Sequence, residues 1–249
     1  MIEKIDLVRI EQIAKEAGGA AMRIYEKDFT VAYKEDSSPL TEADTAANAI
    51  ICDALQSLYP DIPILSEENS AVAYDVRREW DYFWCIDPID GTKEFIKKNG
   101  EFTINIALIH KDTPVLGVVY APVLEELYSA KEGAGAFKNG VALPLTRNDN
   151  DYIVVASRSH LNDETKAFID AIRTDKEKRF HSRGSSLKLC MVAEGAADIY
   201  PRLAPTMEWD TAAADAVVRA AGKMTRRYDD NTPLRYNKRE LRNPWFVVS

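Results

Sequence analysis

Cysteine and histidine are scarce in this 249-residue chain, three of each, and neither is arranged to bind a soft metal. Cys52, Cys85 and Cys190 are odd in number and far apart, without a CxxC or Cys/His spacing, so free buried thiols are expected. His110, His160 and His181 show no paired ligand spacing, which also disfavours zinc. Long apolar runs are missing: stretches such as Ile104 to Ile109 and Val115 to Val119 end far short of the roughly 20 residues a bilayer requires. The opening residues, MIEKIDLVRIEQIAKEAGG, interleave charge with apolar positions at helical spacing and lack a secretory core. A cytoplasmic protein is the expectation, with peripheral attachment at the inner membrane face left open. Positive charge is in deficit, and the formal net charge of −8 disfavours stable nucleic-acid binding. An acidic protein that handles phosphate needs a local positive charge, for which a divalent metal is the obvious source.

What is present is an ordinary globular composition, 46% hydrophobic and 29% charged, without repeats or low-complexity tracts. The spacing of Ile5, Val8, Ile13, Ala17, Ala20 and Ile24 predicts a packing helix over residues 3 to 27, with Gly18 and Gly19 tolerated inside it. After a polar link at residues 34–39, Thr41 can cap a second helix that ends before Pro60. Residues 62–65, 82–86, 102–110 and 115–120 read as strands, the last two joined at Lys111-Asp112-Thr113, and 126–130 with Asn139-Gly140 extends an antiparallel region. Beyond residue 150 strands and helices alternate: strands near 152–156, 179–182, 197–200 and 245–248, helices near 162–173, 186–194 and 211–221. This pattern suggests two packed α+β parts, 1–150 and 151–249, with a ligand cleft between them.

Four acidic segments carry the chemistry. In WCIDPIDGTKEF an apolar strand delivers Asp87 and Asp90 around a proline turn into Gly91-Thr92, where backbone N–H groups can face an anion. The Ile89 carbonyl is free to ligate a metal. A plain surface turn also uses these residue types, although a strand as apolar as residues 82–86 points to burial, where unpaired carboxylates are costly. LSEEN supplies Glu67 and Glu68, which are equally compatible with solvated surface charge. EWDTAAAD places Asp210 at a plausible helix N-cap, and capping alone would explain it. PLTEAD, at 39–44, puts Asp44 in an acidic first helical turn beside Thr41. Oxygen-only ligands suit a hard cation such as Mg²⁺, whereas zinc would recruit His or Cys.

Through SEE at 66–68, DPIDGT at 87–92 and WDTAA at 209–213 the chain resembles the inositol monophosphatase superfamily of lithium-sensitive phosphatases. DPIDGTKEF, NGEFTINIAL, GVVYAP and GSSLK are similar to its CysQ-type group, the 3'(2'),5'-bisphosphate nucleotidases. The resemblance implies an α+β fold of the inositol monophosphatase / fructose bisphosphatase type, a layered α/β/α/β/α sandwich. In that arrangement 1–150 would carry most metal ligands and 151–249 the substrate contacts with the last ligand. It further implies that Glu67, Asp87 and the Ile89 carbonyl hold one Mg²⁺, that Asp87, Asp90 and Asp210 hold a second, and that a third, weaker one lies near Glu67. Asp44 and Thr92 would orient and deprotonate the attacking water, with Glu67 also counted as catalytic. Two metals about 3.5–4 Å apart would clamp an in-line displacement without a phosphoenzyme.

By the same resemblance, Gly91 and Thr92 amides hold the phosphate, with Ile89, Asp90 and Asp210 close to it. Ser185, Lys188, Arg202 and His160 would contact the second phosphate or the nucleoside. Arg183, just before GSSLK, departs from the expected pattern. The expected reaction is hydrolysis of adenosine 3',5'-bisphosphate to AMP and phosphate, with 3'-phosphoadenylyl sulfate as a second substrate, which would relieve product build-up in sulfate assimilation. Three other readings compete: an inositol monophosphatase, a dehalogenase-type phosphatase using Asp87 as nucleophile, and a non-catalytic nucleotide or metal sensor. The sequence leaves oligomeric state open.

Overall fold

The computed structural model describes residues 1–27, 30–33, 39–69, 72–147, 150–156 and 162–249. A single 3-10 turn, Ile2–Lys4, precedes the first helix, α1 (Leu7–Tyr25). The expected helix over 3–27 is therefore shorter, because the Asp6 carboxylate accepts from Val8 N at 3.0 Å and Arg9 N at 3.4 Å and so sets the start. A two-stranded ribbon follows, β1 (Val31–Tyr33) with β2 (Pro39–Thr41), then α2 (Glu42–Leu58), capped by Thr41 as expected. The link at 34–38 lies outside the described residues.

Next come β3 (Ile64–Ser66), a one-turn helix α3 (Tyr74–Arg77), β4 (Tyr82–Asp90) and the short α4 (Thr92–Ile96). An antiparallel meander continues with β5 (Thr103–His110), β6 (Thr113–Ala121), β7 (Glu126–Lys131), β8 (Gly135–Lys138) and β9 (Val141–Ala142). These strands form one seven-stranded sheet in the order β3-β4-β5-β6-β7-β8-β9, parallel only between β3 and β4. Both hairpin turns are where the sequence puts them: His110 pairs with Thr113 across Lys111 at φ 57°, and Lys138 with Val141 across Asn139-Gly140.

The remaining elements are β10 (Tyr152–Ala156), α5 (Asp163–Ala171), β11 (Lys178–Ser182), α6 (Leu187–Ala193), β12 (Tyr200–Arg202), α7 (Trp209–Ala220), β13 (Thr225–Arg227) and β14 (Phe246–Val248). β10 and β11 pair in parallel, and β12, β14 and β13 form a small antiparallel sheet, joined to β10 by a bridge between Val154 and Ile199.

Alternation along β4 explains the layering. Trp84 and Ile86 enter a core shared with α1 and α2, while Phe83 and Cys85 enter a second core with α6 and α7. Residues on both sides of position 150 share that second core, from Leu65 to Val248. A third cluster of Val154, Ile169 and Ile199 packs α5 against the smaller strands. The order is helices, sheet, helices, sheet, helix, the α/β/α/β/α sandwich expected from the sequence.

Two glycines make close approach feasible. A Cβ at Gly18 would sit 2.7 Å from the Tyr120 ring, so the helix interior glycine admits β6 against α1. A Cβ at Gly117 would lie 2.1 Å from the Ala213 carbonyl oxygen and 2.8 Å from the Ala216 Cβ, in the backbone contact between β6 and α7. Gly117→Ala is accordingly expected to destabilise the protein by about 3 kcal/mol, the upper end for overpacking. That corresponds to a melting temperature lower by about 6–12 °C at this chain length, measured by thermal denaturation. A shift under about 2 °C would mean that α7 can slide on the sheet.

Candidate active site

β4 ends in a β-bulge between Asp87 and Asp90, which turns both carboxylates toward one cavity. That cavity has a volume of about 520 Å³, in the range of metabolite sites. Gly91 follows at φ 91°, a conformation that favours glycine, and α4 starts at Thr92. With five residues α4 has little dipole, so an anion there would be met by the amides themselves.

Carboxylate oxygens of Asp87, Asp90 and Asp210 all lie within 4.8 Å of one another. Asp210 differs from its expected placement: Glu208 is the N-cap of α7, and Asp210, in the first turn, accepts from Met207 N at 2.8 Å. Asp87 is 1% exposed, and its Oδ1 accepts from Ile89 N at 3.1 Å. Asp90 Oδ2 accepts from Ser186 N at 2.6 Å and Asn105 Nδ2 at 3.4 Å. Ser186 in turn donates to Asn105 Oδ1 at 3.0 Å and lies 2.9 Å from the Thr103 hydroxyl. Glu67 lies in the cavity wall outside the three-aspartate group; the strand end before it is fixed by Ser66 donating to Asn48 of α2 at 2.6 Å.

Burial pushes these acids upward. Asp87 rises well above the usual carboxyl range through desolvation and then through the charges of Glu67, Asp90 and Asp210. Desolvation and Asp90 raise Asp210 to about 8, and desolvation raises Asp90 despite Lys188 and the Ser186 amide. Crowded carboxyl oxygens that repel one another fit a hard divalent cation, and no His or Cys joins them among the described residues.

Asp44 is buried behind this wall. Its Oδ2 accepts from Thr41 N at 2.8 Å and Thr41 Oγ1 at 2.6 Å, closing a capping box at the start of α2. Its Oδ1 is 3.3 Å from the Thr92 hydroxyl, which also lies 3.4 Å from the Ile89 carbonyl oxygen and can donate to one of them at a time. Burial raises Asp44 to about 6.

Cationic and hydroxylic side chains line the same cavity. Ser185 (φ 44°), Lys188, Arg202 and Arg183 line it. Lys188 Nζ donates to the Ser185 and Arg183 carbonyls, and burial lowers its pKa to about 8. Among the described residues Ser185 Oγ and Arg202 Nε are buried without a hydrogen-bond partner, so a ligand entering the cavity could satisfy them. Arg183 pairs with Glu101 at 3.5 Å while lining the cavity.

Thus Glu67, Asp87, Ile89, Asp90, Gly91, Thr92, Ser185, Lys188, Arg202 and Asp210 converge on one cavity, and Asp44 adjoins it through Thr92. His160 lies outside the described residues. Sequence reasoning missed Lys93, Lys97 and Asn99, which line the cavity from α4 and the turn after it; the KKN run resembles an ordinary polar helix end. It also missed roles for Ser186 and Asn105, although both fall inside quoted motifs, GSSLK and NGEFTINIAL.

The fold is that of a phosphatase family: the inositol monophosphatase family model matches residues 2–244, and the chain belongs to that family. Its relatives include the 3'(2'),5'-bisphosphate nucleotidase CysQ of Shigella flexneri, 49% identical over 98% of this chain and 99% of that protein. The protein of the same description from Haemophilus influenzae is 38% identical over 95% of this chain and 89% of its own. Among solved structures, CysQ from Bacteroides thetaiotaomicron superposes with a TM-score of 0.87 at 46% identity, covering 95% of this chain and 94% of that one. An IMPase of Thermotoga maritima superposes at 0.78 with 27% identity, covering 96% and 89%. Among the described residues no helix is long and apolar enough to cross a membrane.

Proposed function

We propose that this chain is a Mg²⁺-dependent 3'(2'),5'-bisphosphate nucleotidase that converts adenosine 3',5'-bisphosphate to AMP and phosphate, with 3'-phosphoadenylyl sulfate as a second substrate. The observation that carries the reading is that one cavity is lined both by the aspartate cluster and by Lys188 and Arg202, with Ser185 Oγ and Arg202 Nε lacking a partner among the described residues. A substrate with two anionic groups matches that combination, one group meeting a cation held by the aspartates and the other the basic side chains, and the nearly full-length likeness to CysQ proteins supports the same assignment.

In this reading Glu67, Asp87 and the Ile89 carbonyl, and Asp87, Asp90 and Asp210, hold two Mg²⁺, with a third beside Glu67. When bound, such cations acidify water and neutralise phosphoryl charge. The Thr92 hydroxyl passes its hydrogen bond to Asp44 Oδ1, leaving its oxygen to accept from an attacking water. Gly91 and Thr92 amides orient the phosphoryl group, and Lys188, Arg202 and Ser185 grip the far end of the nucleotide.

Phosphate release from adenosine 3',5'-bisphosphate, 3'-AMP and inositol monophosphate at equal Mg²⁺ tests the assignment, with the bisphosphate expected to give the highest kcat/KM. Preference for the inositol ester would replace it with an inositol monophosphatase. Lys188→Ala is expected to raise the bisphosphate KM about tenfold or more with kcat within about twofold, since it removes a charge-assisted contact made throughout the reaction. A fall in kcat at unchanged KM would move Lys188 to the reacting phosphate.

A further inference from the structure

Arg77 is 2% exposed, yet its guanidinium meets no carboxylate among the described residues. Nε donates to the Val72 carbonyl at 3.0 Å, Nη1 to Asn237 Oδ1 at 2.9 Å and the Lys238 carbonyl at 3.2 Å. Nη2 donates to the Lys238 carbonyl at 3.2 Å and the Arg239 carbonyl at 3.4 Å, and Asn237 Nδ2 returns a bond to the Arg77 carbonyl at 2.8 Å. A buried cation satisfied wholly by neutral acceptors is an expensive way to close a loop. Its position explains the expense.

On one side, Arg77 ends the one-turn helix α3. On the other, residues 237–239 are clamped to Glu208, which is fully buried and lies two residues before Asp210. Glu208 accepts from Asn237 N at 2.7 Å, from Lys238 N at 2.9 Å and from Lys238 Nζ at 2.6 Å. A chain of directional hydrogen bonds therefore runs from Arg77 through Asn237 to Glu208, at the start of α7.

We propose that Arg77 is a positioning residue: with Asn237 and Glu208 it fixes the start of α7, and with it Asp210, against Asp87 and Asp90, and so sets the affinity for the divalent cation. The proposal rests on the reading that this cluster binds such a cation. Mutually repelling carboxylates drift apart when nothing braces them, and the cation must then draw them together at the expense of its own affinity. Outer partners of ligands in metal sites typically account for about 10–100-fold in affinity.

The test compares wild type with Arg77→Met and Asn237→Gly in the full chain. Glycine keeps the left-handed backbone at position 237 (φ 57°) and deletes only the amide that grips Arg77, so it decides the question if Arg77→Met does not fold. Mg²⁺ affinity is measured by calorimetry and by the Mg²⁺-induced rise in melting temperature. The expected result is a Kd for Mg²⁺ raised about tenfold or more in both variants, with the bisphosphate KM at saturating Mg²⁺ within about twofold of wild type. A metal-free melting temperature that drops while Kd stays within about twofold would make Arg77 merely structural and overturn the proposal. Wild type that binds no Mg²⁺ would overturn the cation reading and the brace together.

Discussion

Asp87→Asn is expected to lower phosphate release on the order of a thousandfold while making the metal-free protein more stable. Both effects come from one geometry. Asp87 is the most enclosed of three carboxylates whose oxygens lie within 4.8 Å, and its Oδ1 is already committed to the Ile89 amide. Asparagine keeps that acceptor and replaces the charged oxygen with an amide that can donate to Asp90 or Asp210. In metal-free protein this relieves like-charge repulsion of about 1–3 kcal/mol, taking an effective dielectric near 20 and partial protonation into account. The melting temperature should rise by several degrees. The sign follows from Asp210, which is raised to about 8: a carboxyl whose pKa is higher in the fold binds protons in the folded state, so stability declines as pH climbs between about 4 and 8. The gain from Asp87→Asn should therefore be larger at pH 8 than at pH 5. With Mg²⁺ the order reverses, because wild type gains stability by binding and the variant does not. Thermal melts with and without Mg²⁺, beside a phosphate-release assay, check each part. A variant less stable than wild type without metal would mean that the cluster carries no repulsion.

The elements of the sandwich were legible wherever a local rule decided them. The run Tyr82–Ile86 reads as a buried strand because both its faces are apolar, and β4 is buried on both faces. Asn139-Gly140 makes a tight turn because both residues adopt positive φ. Asp6 was a legible signal that the apolar period concealed, since Ile5 continues the helical stripe while the Asp6 side chain caps the residues after it. Gly18 looked like a tolerated cost within a helix, and its reason, the Tyr120 ring, lies 102 positions away. The convergence of the four acidic segments was legible through motif resemblance; their separate spacings left turn, cap and surface readings open. Arg77 was not legible at all, because its acceptors are mostly backbone carbonyls near 238, and a carbonyl leaves no mark on the sequence.

Asp44→Asn is expected to reduce kcat about 100-fold or more while leaving Mg²⁺ affinity within about twofold, which separates proton handling from cation binding. The capping box dictates the outcome. Thr41 N and Thr41 Oγ1 both direct hydrogen bonds to Asp44 Oδ2, so an asparagine must place its oxygen there and turn its amide toward Thr92. The Thr92 oxygen then accepts from that amide, and its proton turns to the Ile89 carbonyl 3.4 Å away. No oxygen at position 44 is left to take a proton relayed through Thr92. In wild type, burial raises Asp44 to about 6, so the carboxylate is lost as pH falls through that value and kcat/KM should decline with it. This acid limb should vanish in Asp44→Asn, and its residual rate should vary little between pH 5 and 7. A limb that persists unchanged in the variant would assign the proton transfer to another group. Because an asparagine oxygen can still accept from Thr41 N and Thr41 Oγ1, a similar melting temperature for the two proteins would exclude unfolding as the cause of the lost rate.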